Sequence, residues 1–309
     1  MAYNWNHGWG RLIANSLRSD PRTGKVFIVA ATGHVNYEEL NEIFPASDKV
    51  RVVATIQAAI DLATSDEDDV IFVTNGHSED ITAAGGITVN KTGLKFVGLG
   101  VGSNRPTINF TTATTADLEI DNAFTVFQNF IFDLTGFDAI AAAIDVDSTY
   151  ATFRNCEFVL ADADGQATLA ILTDANASGL TVENCYFRGT KHAGMETAIR
   201  IVGGNDHKIV NNVFIGSFTT NRGAIENVTT ACDRTLVKDN FIWNTTAAAT
   251  KAMVFHADGT AILVGNRMQI DSGVAPITGA RASWSGGNEF AYVKASNIFI
   301  GAIKGGVTA

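Results

Sequence analysis

One six-residue pattern constrains this chain more than any other feature, because it returns at a nearly fixed period. The copies are Phe127-Gln128-Asn129-Phe130-Ile131-Phe132, Phe153-Arg154-Asn155-Cys156-Glu157-Phe158 and Val182-Glu183-Asn184-Cys185-Tyr186-Phe187. They continue as Ile209-Val210-Asn211-Asn212-Val213-Phe214, Val237-Lys238-Asp239-Asn240-Phe241-Ile242 and Leu263-Val264-Gly265-Asn266-Arg267-Met268. With the third position as marker, the steps from 129 to 265 are 26, 29, 27, 28 and 26 residues. A period of that size belongs to solenoids, in which each repeat buries its apolar face against the next.

Each column of the repeat has its own chemistry. The first and sixth positions are aromatic or aliphatic throughout and predict buried stacks, one residue per coil. The third position, Asn129, Asn155, Asn184, Asn211, Asp239 and Gly265, holds residue types that accept a left-handed backbone with little strain. That structural ladder predicts a sharp bend between two short strands. The fourth position predicts a stack of small and amide side chains just past the bend. Between markers runs a second apolar column, Ile144, Ile171, Ile199, Ile225, Val254 and Ile277, with Ala143, Ala170, Ala198 and Ala224 beside it. A leucine-rich repeat would need a Leu-rich frame and a return helix, and these β-branched segments show no helical period. The spacing therefore predicts an all-β fold, a single-stranded parallel β-helix of about 27 residues per coil.

The ends depart from the repeat. Residues 1–24 scatter Tyr3, Trp5, Trp9, Leu12 and Ile13 among Asn, Gly and Arg, and Arg11, Arg18, Arg22 and Lys25 make this the basic end of an acidic chain. Tyr3, Trp5, Trp9, Arg11, Leu12 and Ile13 are the candidate partner-binding residues of a docking arm. Residues 25–64 hold a strand over 25–30, a short helix around 37–44 and an amphipathic helix over 51–64, with Ile56, Ala59, Ile60 and Ala63 on one face. A helix in that place covers the first coil of a solenoid spanning 65–270. Residues 271–309 read as a C-terminal cap, with a loop over 283–288 and closing strands at 290–293 and 297–303.

Composition sets the partner class. A formal net charge of −10 and a pI near 5 argue against nucleic acid. The start Met1-Ala2-Tyr3-Asn4-Trp5 lacks the apolar run of a signal peptide, and no apolar stretch reaches membrane-spanning length. A product made in a cytoplasm, without a membrane partner, is the expectation. Three cysteines do not make a disulfide framework. Cys156 and Cys185 would stack roughly 4.8 Å apart on neighbouring coils, where buried free thiols are favoured over a bridge.

Thr55-Ile56-Gln57-Ala58-Ala59-Ile60-Asp61, Asp69-Val70-Ile71-Phe72-Val73, Gly93-Leu94-Lys95-Phe96-Val97-Gly98-Leu99-Gly100 and Pro106-Thr107-Ile108 together resemble the opening of pectin-lyase-like right-handed parallel β-helix proteins. The likeness covers about residues 50 to 270 and is greatest to versions carried by tailed bacteriophages, in tailspikes and other virion proteins. It implies a right-handed winding and a structural virion protein, a trimeric rod attached to the particle as head decoration or tail component. The partners it implies are further copies of the chain, the capsid shell or tail, and a host surface glycan.

The search for chemistry returns no catalytic assignment. Glycoside hydrolysis needs two carboxylates about 5–9.5 Å apart. Asp147 and Asp174 fall on adjacent coils with Glu157 near in sequence, but no aromatic sugar platform flanks them in the repeat. Lys191, His192, Glu196, Arg200 and His207 cluster as a lyase would need, and read better as a polar loop. Asp162-Ala163-Asp164-Gly165 lacks the later ligands of a calcium loop, and Gly98 to Gly100 lacks the helix of a phosphate loop, so neither metal nor cofactor is expected. Arg154 with Glu183, and Arg200 with Glu226, read as cross-coil ion pairs. Leu172, Val210, Phe255 and Val264 are the outward apolar candidates for a partner interface. A polysaccharide-degrading tailspike or lyase, and a non-catalytic glycan-binding adhesin marked by Tyr186 and Trp243, are the alternative functions.

Overall fold

A computed structural model describes residues 24–33, 37–43, 50–160, 167–189, 195–218, 222–227, 229–246, 249, 251–270, 277–278, 281–294 and 297–303. Over these residues the chain winds as a right-handed parallel β-helix of about eight turns, with a coil of about 27 residues. Each turn gives one short strand to each of three sheets. The first sheet starts Val50–Val53, Val26–Val29, Val70–Val73, Lys95–Gly98 and continues through the first half of every repeat to Arg281–Gly286. The second starts at Ser78–Ile81 and takes the half after the bend, ending at Asn288–Lys294 and Asn297–Ile303. The third runs from Ile87–Val89 through Leu118–Ile120, Ile144–Val146, Leu169–Thr173, Thr197–Ile201, Ile225–Asn227 and Met253–Phe255 to Ile277–Thr278.

Strict alternation along these strands decides what is buried. In the second sheet, Ile108, Phe132, Phe158, Phe187, Phe214, Ile242 and Met268 stand in one inward register. Ring centroids of Phe158 and Phe187 lie 4.2 Å apart and those of Phe187 and Phe214 lie 4.6 Å apart, near the spacing of the strands that carry them. Phe96, Phe127 and Phe153 stack in the first sheet, at 4.4 Å and 5.9 Å. The interior is thus filled by like residues repeated along the axis, so each coil shapes the space for the next.

The entry to the solenoid is more interleaved than the sequence spacing predicts. Val26–Val29 lies between Val50–Val53 and Val70–Val73, parallel to both. Helix α1 spans Tyr37–Ile43 and helix α2 spans Ile56–Leu62. The predicted helix over 51–64 therefore begins later, because the β-branched run Val50 to Val53 pairs with Val26–Val29 instead. Thr55 caps α2 by accepting the Ala58 N–H at 3.1 Å, and Glu79 accepts the Ile56 N–H at 2.9 Å. Ile56, Ala59, Ile60 and Ala63 are all buried against the first coils.

Two further expectations change. The third-sheet column runs Ile225, Met253, Ile277 rather than through Val254, so Val254 faces outward beside Glu226 and Phe255 is buried. With period 2, a slip of one residue exchanges the two faces. The segment 283–288 is not a loop: Arg281–Gly286 pairs parallel with Thr260–Val264, and Asn288–Lys294 with Arg267–Ile270. Ser285-Gly286-Gly287-Asn288-Glu289-Phe290 is a seventh copy of the repeat, and Gly287 takes the bend at φ +64°. Asn297–Ile303 then pairs antiparallel with Asn288–Lys294 and closes the edge of the second sheet.

Candidate functional site

The bend ladder is architecture. Asn129, Asn155, Asn184, Asn211, Asp239 and Gly265 adopt φ of +66°, +54°, +54°, +55°, +54° and +66°. The first five donate their backbone N–H to the next coil, as in Asn155 to Glu183 O at 3.1 Å and Asn211 to Lys238 O at 2.9 Å. Just inside, Asn212, Asn240, Asn266 and Asn288 form a buried amide ladder. Nδ2 of each of the first three donates to Oδ1 of the next, at 3.1, 2.9 and 2.9 Å. Each Oδ1 from Asn240 onward also accepts the backbone N–H of the Asn before it. Cys156 and Cys185 continue this column as free, buried thiols, with Sγ 3.6 and 3.5 Å from the Phe127 and Phe153 carbonyls. Burial pushes the Cys185 thiol above its ordinary range, and Cys156 beside it adds to the rise.

The outer columns carry the surface chemistry. Arg154 pairs with Glu183, and Glu157 takes both Arg105 and Arg188 on the second sheet. Glu157 is therefore a structural anchor on a different face from Asp147 and Asp174. Glu226 is buried and is held by Arg222 and by Arg200 Nε at 2.8 Å, while Arg200 also reaches Glu196. His207 stands apart from this network: its Nε2 lies 3.0 Å from Gly203 O, and burial lowers its pKa. Lys191, His192 and residues 162–165 lie outside the described residues, as do Tyr3, Trp5, Trp9, Arg11, Leu12 and Ile13.

Six carboxylates gather on the third sheet and its following corner. Glu119 and Asp145 face outward from paired positions, with Asp117 beside Glu119. Asp121, Asp147 and Asp174 follow the same strands and are exposed. Asp117 accepts the Gly85 N–H and Glu119 lies 3.3 Å from Thr88 Oγ1, but among the described residues none of the six has a lysine or arginine in ion-pair range. Burial, with repulsion from Asp147, Asp117, Glu119 and Asp174, raises Asp145 to about 6. Burial, with repulsion from Asp174 and Asp121, likewise raises Asp147. The arrangement concentrates negative charge without neutralising it.

Three residues beyond Asp121 and Asp147, a feature absent from the sequence repeat appears. A second left-handed column runs through Asp66, Gly93, Phe124, Tyr150, Gly179, Asp206 and Arg234, with φ between +58° and +81°. It is tied by backbone bonds such as Gly93 N to Ala123 O, Phe124 N to Thr149 O and Tyr150 N to Ser178 O, at 2.9, 3.1 and 2.8 Å. Phe124 and Tyr150 are 55% and 48% exposed and stack with centroids 4.9 Å apart and planes at 4°. A Cβ on Gly179 would come within 2.5 Å of the Tyr150 ring, so the absence of a side chain there seats the stack. This aromatic platform is what the carboxylates lacked in sequence.

A second surface is apolar. Tyr186, Val213 and Phe241 occupy one outward register of the second sheet, and Ile215 and Trp243 the next. Tyr186 is exposed and the other four are half-buried. Leu172, Val210 and Val264 are also outward and half-buried, on the other two sheets, but they form no such cluster.

No family model and no curated protein matches this chain. Among solved structures, a chain described as Geobacillus virus E2 - ORF18 is similar over 77% of this chain, at 14% identity and a TM-score of 0.33. The present chain spans 57% of the length of that protein. No helix of the described residues is long and apolar enough to cross a membrane.

Proposed function

We propose that the protein is a structural component of a tailed-phage particle, a rigid β-helical rod that associates with itself as a trimer and attaches through its N-terminal segment. The observation that carries this reading is the outward cluster of Tyr186, Val213, Ile215, Phe241 and Trp243 on three successive coils of one flat sheet face. On a solvated face of a β-helix, outward positions are expected to be mostly polar, as on the first sheet, where Val210 and Val264 stand singly among Arg154, Glu183 and Lys238. A contiguous apolar patch on a straight face suits packing against the same face of another copy around a symmetry axis. Support also comes from the interior, where phenylalanine and asparagine ladders run along the axis and tie each coil to the next. The resemblance of residues 50–270 to phage-borne β-helices supplies the setting.

Light scattering of the purified protein is expected to give three times the chain mass, and Phe241→Lys with Trp243→Lys to reduce it to the monomer while the β-sheet circular dichroism signal is kept. A wild-type monomer at micromolar concentration would remove the oligomeric part of the proposal. Mass spectrometry of purified virion fractions is expected to find the chain in the particle, and its absence there would remove the rest. Deleting residues 1–24 is expected to abolish attachment without loss of the β-sheet signal.

A further inference from the structure

The Phe124–Tyr150 stack and the carboxylates beside it have no assigned occupant, and three observations converge on one. The first is charge. Asp121, Asp147 and Asp174 lie along the corner that leads to the rings, backed by Asp117, Glu119 and Asp145, and among the described residues none of the six is in an ion pair. The stack covers one face of each ring and Tyr150 rests on Gly179, but the Phe124 side over Gly93 is open, and a ring face near carboxylates without a cation favours a guanidinium, which takes both a charge-assisted hydrogen bond and a ring face.

The second observation is where the chain enters. Gly24 packs so closely against the start of the same corner that a Cβ on it would lie 2.0 Å from Glu67 O and 2.3 Å from Asp69 Oδ1. Lys25 is fixed there by its N–H to Asp69 Oδ1 at 2.5 Å and its Nζ to Thr64 Oγ1 at 2.7 Å. Asp66, one residue from Glu67, is the first member of the left-handed column that holds Phe124 and Tyr150 two and three coils along. Between them stands Gly93, whose Cβ position has only Asp68 Oδ1 within 4 Å, at 3.6 Å, so no side chain of that coil blocks the way.

The third is sequence. Residues 1–24 carry Arg11, Arg18 and Arg22 against a single carboxylate, Asp20, in a chain of net charge −10. An extended chain advances about 3.3 Å per residue, so Arg22 and Arg18 reach roughly 7 and 20 Å from Gly24. At about 4.8 Å per coil, Phe124 and Tyr150 lie roughly 10 and 14 Å along the axis, and Asp121 to Asp174 roughly 10 to 19 Å. The two scales coincide.

We infer that the Phe124–Tyr150 stack and the Asp121, Asp147, Asp174 ladder form the docking surface for the chain's own residues 11–23, with one arginine on the open side of Phe124 and the others at the carboxylates. The segment straps the first four coils and covers the exposed rings. This goes beyond attachment to a particle, because it sets where the N-terminal segment rests on the isolated protein. The test needs no particle, so its failure leaves the virion reading untouched.

The measurement is limited trypsin digestion of the full-length protein, following cleavage after Arg18 and Arg22 by mass spectrometry. A synthetic peptide of residues 1–25 in the same tube reports the rate for an undocked segment. At about 20 mM salt, cleavage in the protein is expected to be at least tenfold slower than in the peptide, roughly what two or three ion pairs with ring contacts supply. Protection is expected to fall severalfold at about 0.5 M salt, where exposed pairs are screened. It is expected to disappear when Asp121→Asn, Asp147→Asn and Asp174→Asn are combined, and to weaken with Phe124→Ser and Tyr150→Ser. Equal rates in protein and peptide would overturn the inference, as would protection insensitive to both salt and the carboxylate variant. Protection lost on dilution at constant salt would place the segment on a second copy and overturn it too. Should the triple variant fail to fold, the salt series on the unaltered protein decides alone.

Discussion

At the scale of the residue, the same carboxylate type does opposite work on two faces. Glu226 is buried, and Arg200 and Arg222 both reach its oxygens. Removing one partner of such a buried group costs more than the pair contributes. Asp145 has no such partner, and its carboxyl is raised from 3.8 to about 6 by burial and by four neighbouring acids. A carboxyl whose folded value is raised opposes folding once it ionises. The penalty is absent below the unfolded value, grows as pH rises from about 4 to about 6, and is complete above that. Asp145→Asn is therefore expected to stabilise the protein by about 1 kcal/mol at pH 7.5, discounted for a half-exposed site, and to be neutral at pH 3.5. Urea unfolding at the two pH values checks this, and a difference that does not change with pH would disprove the assignment. The raised value was not legible in sequence, because it depends on what stands around Asp145 on the neighbouring coils, Glu119 on one side and Leu172 on the other. It arises from Asp117, Glu119, Asp147 and Asp174, which the winding brings around it.

At the scale of the element, the repeat is held by ladders that run across strands rather than along them. Asn240 shows what one rung does. Its Oδ1 accepts two hydrogen bonds from Asn212, and its Nδ2 donates to Ile209 O at 2.8 Å and to Asn266 Oδ1 at 2.9 Å. Asn240→Ala leaves several of these buried groups without partners, at about 1–3 kcal/mol each, so a loss of about 3–5 kcal/mol is expected in equilibrium unfolding. Asn211, one residue before Asn212, faces outward at φ +55°, and Asn211→Gly is expected to change stability by less than 1 kcal/mol. Comparable losses at the two positions would mean that the bend and not the amide ladder carries the energy. The bend was visible in sequence because left-handed backbone restricts residue choice to Asn, Asp and Gly when nothing else compensates. The second left-handed column was not, since Phe124, Tyr150 and Arg234 sit there. Asp66, Gly93, Gly179 and Asp206 are the usual left-handed types, but the other three coils break the series, so the column shows no regular mark in the sequence.

At the scale of the molecule, a solenoid is an open stack with two edges, and each edge must be covered. Val50–Val53 and helix α2 cover the first, and Asn297–Ile303, antiparallel on Asn288–Lys294, covers the last of the second sheet. Ending the chain after Lys294 is expected to leave the thermal midpoint of the central coils within a few degrees and to produce concentration-dependent aggregation, read by light scattering. A truncated protein that stays as monodisperse as the full chain would show that the last strand is dispensable as a cap. The sequence by itself determined the solenoid, its coil length, the position of its bends and its buried columns. Those follow from local rules, since alternation, β-branching and left-handed tolerance act within a few residues and repeat. The tertiary structure alone decided the register at Val254 and Phe255, the seventh coil at Gly287, the apolar face of Val213, Phe241 and Trp243, and the meeting of Phe124 and Tyr150 with six carboxylates. Each of these depends on which residues of successive coils fall about 4.8 Å apart, and differences in length from one turn to the next shift that alignment without leaving a trace in any single repeat.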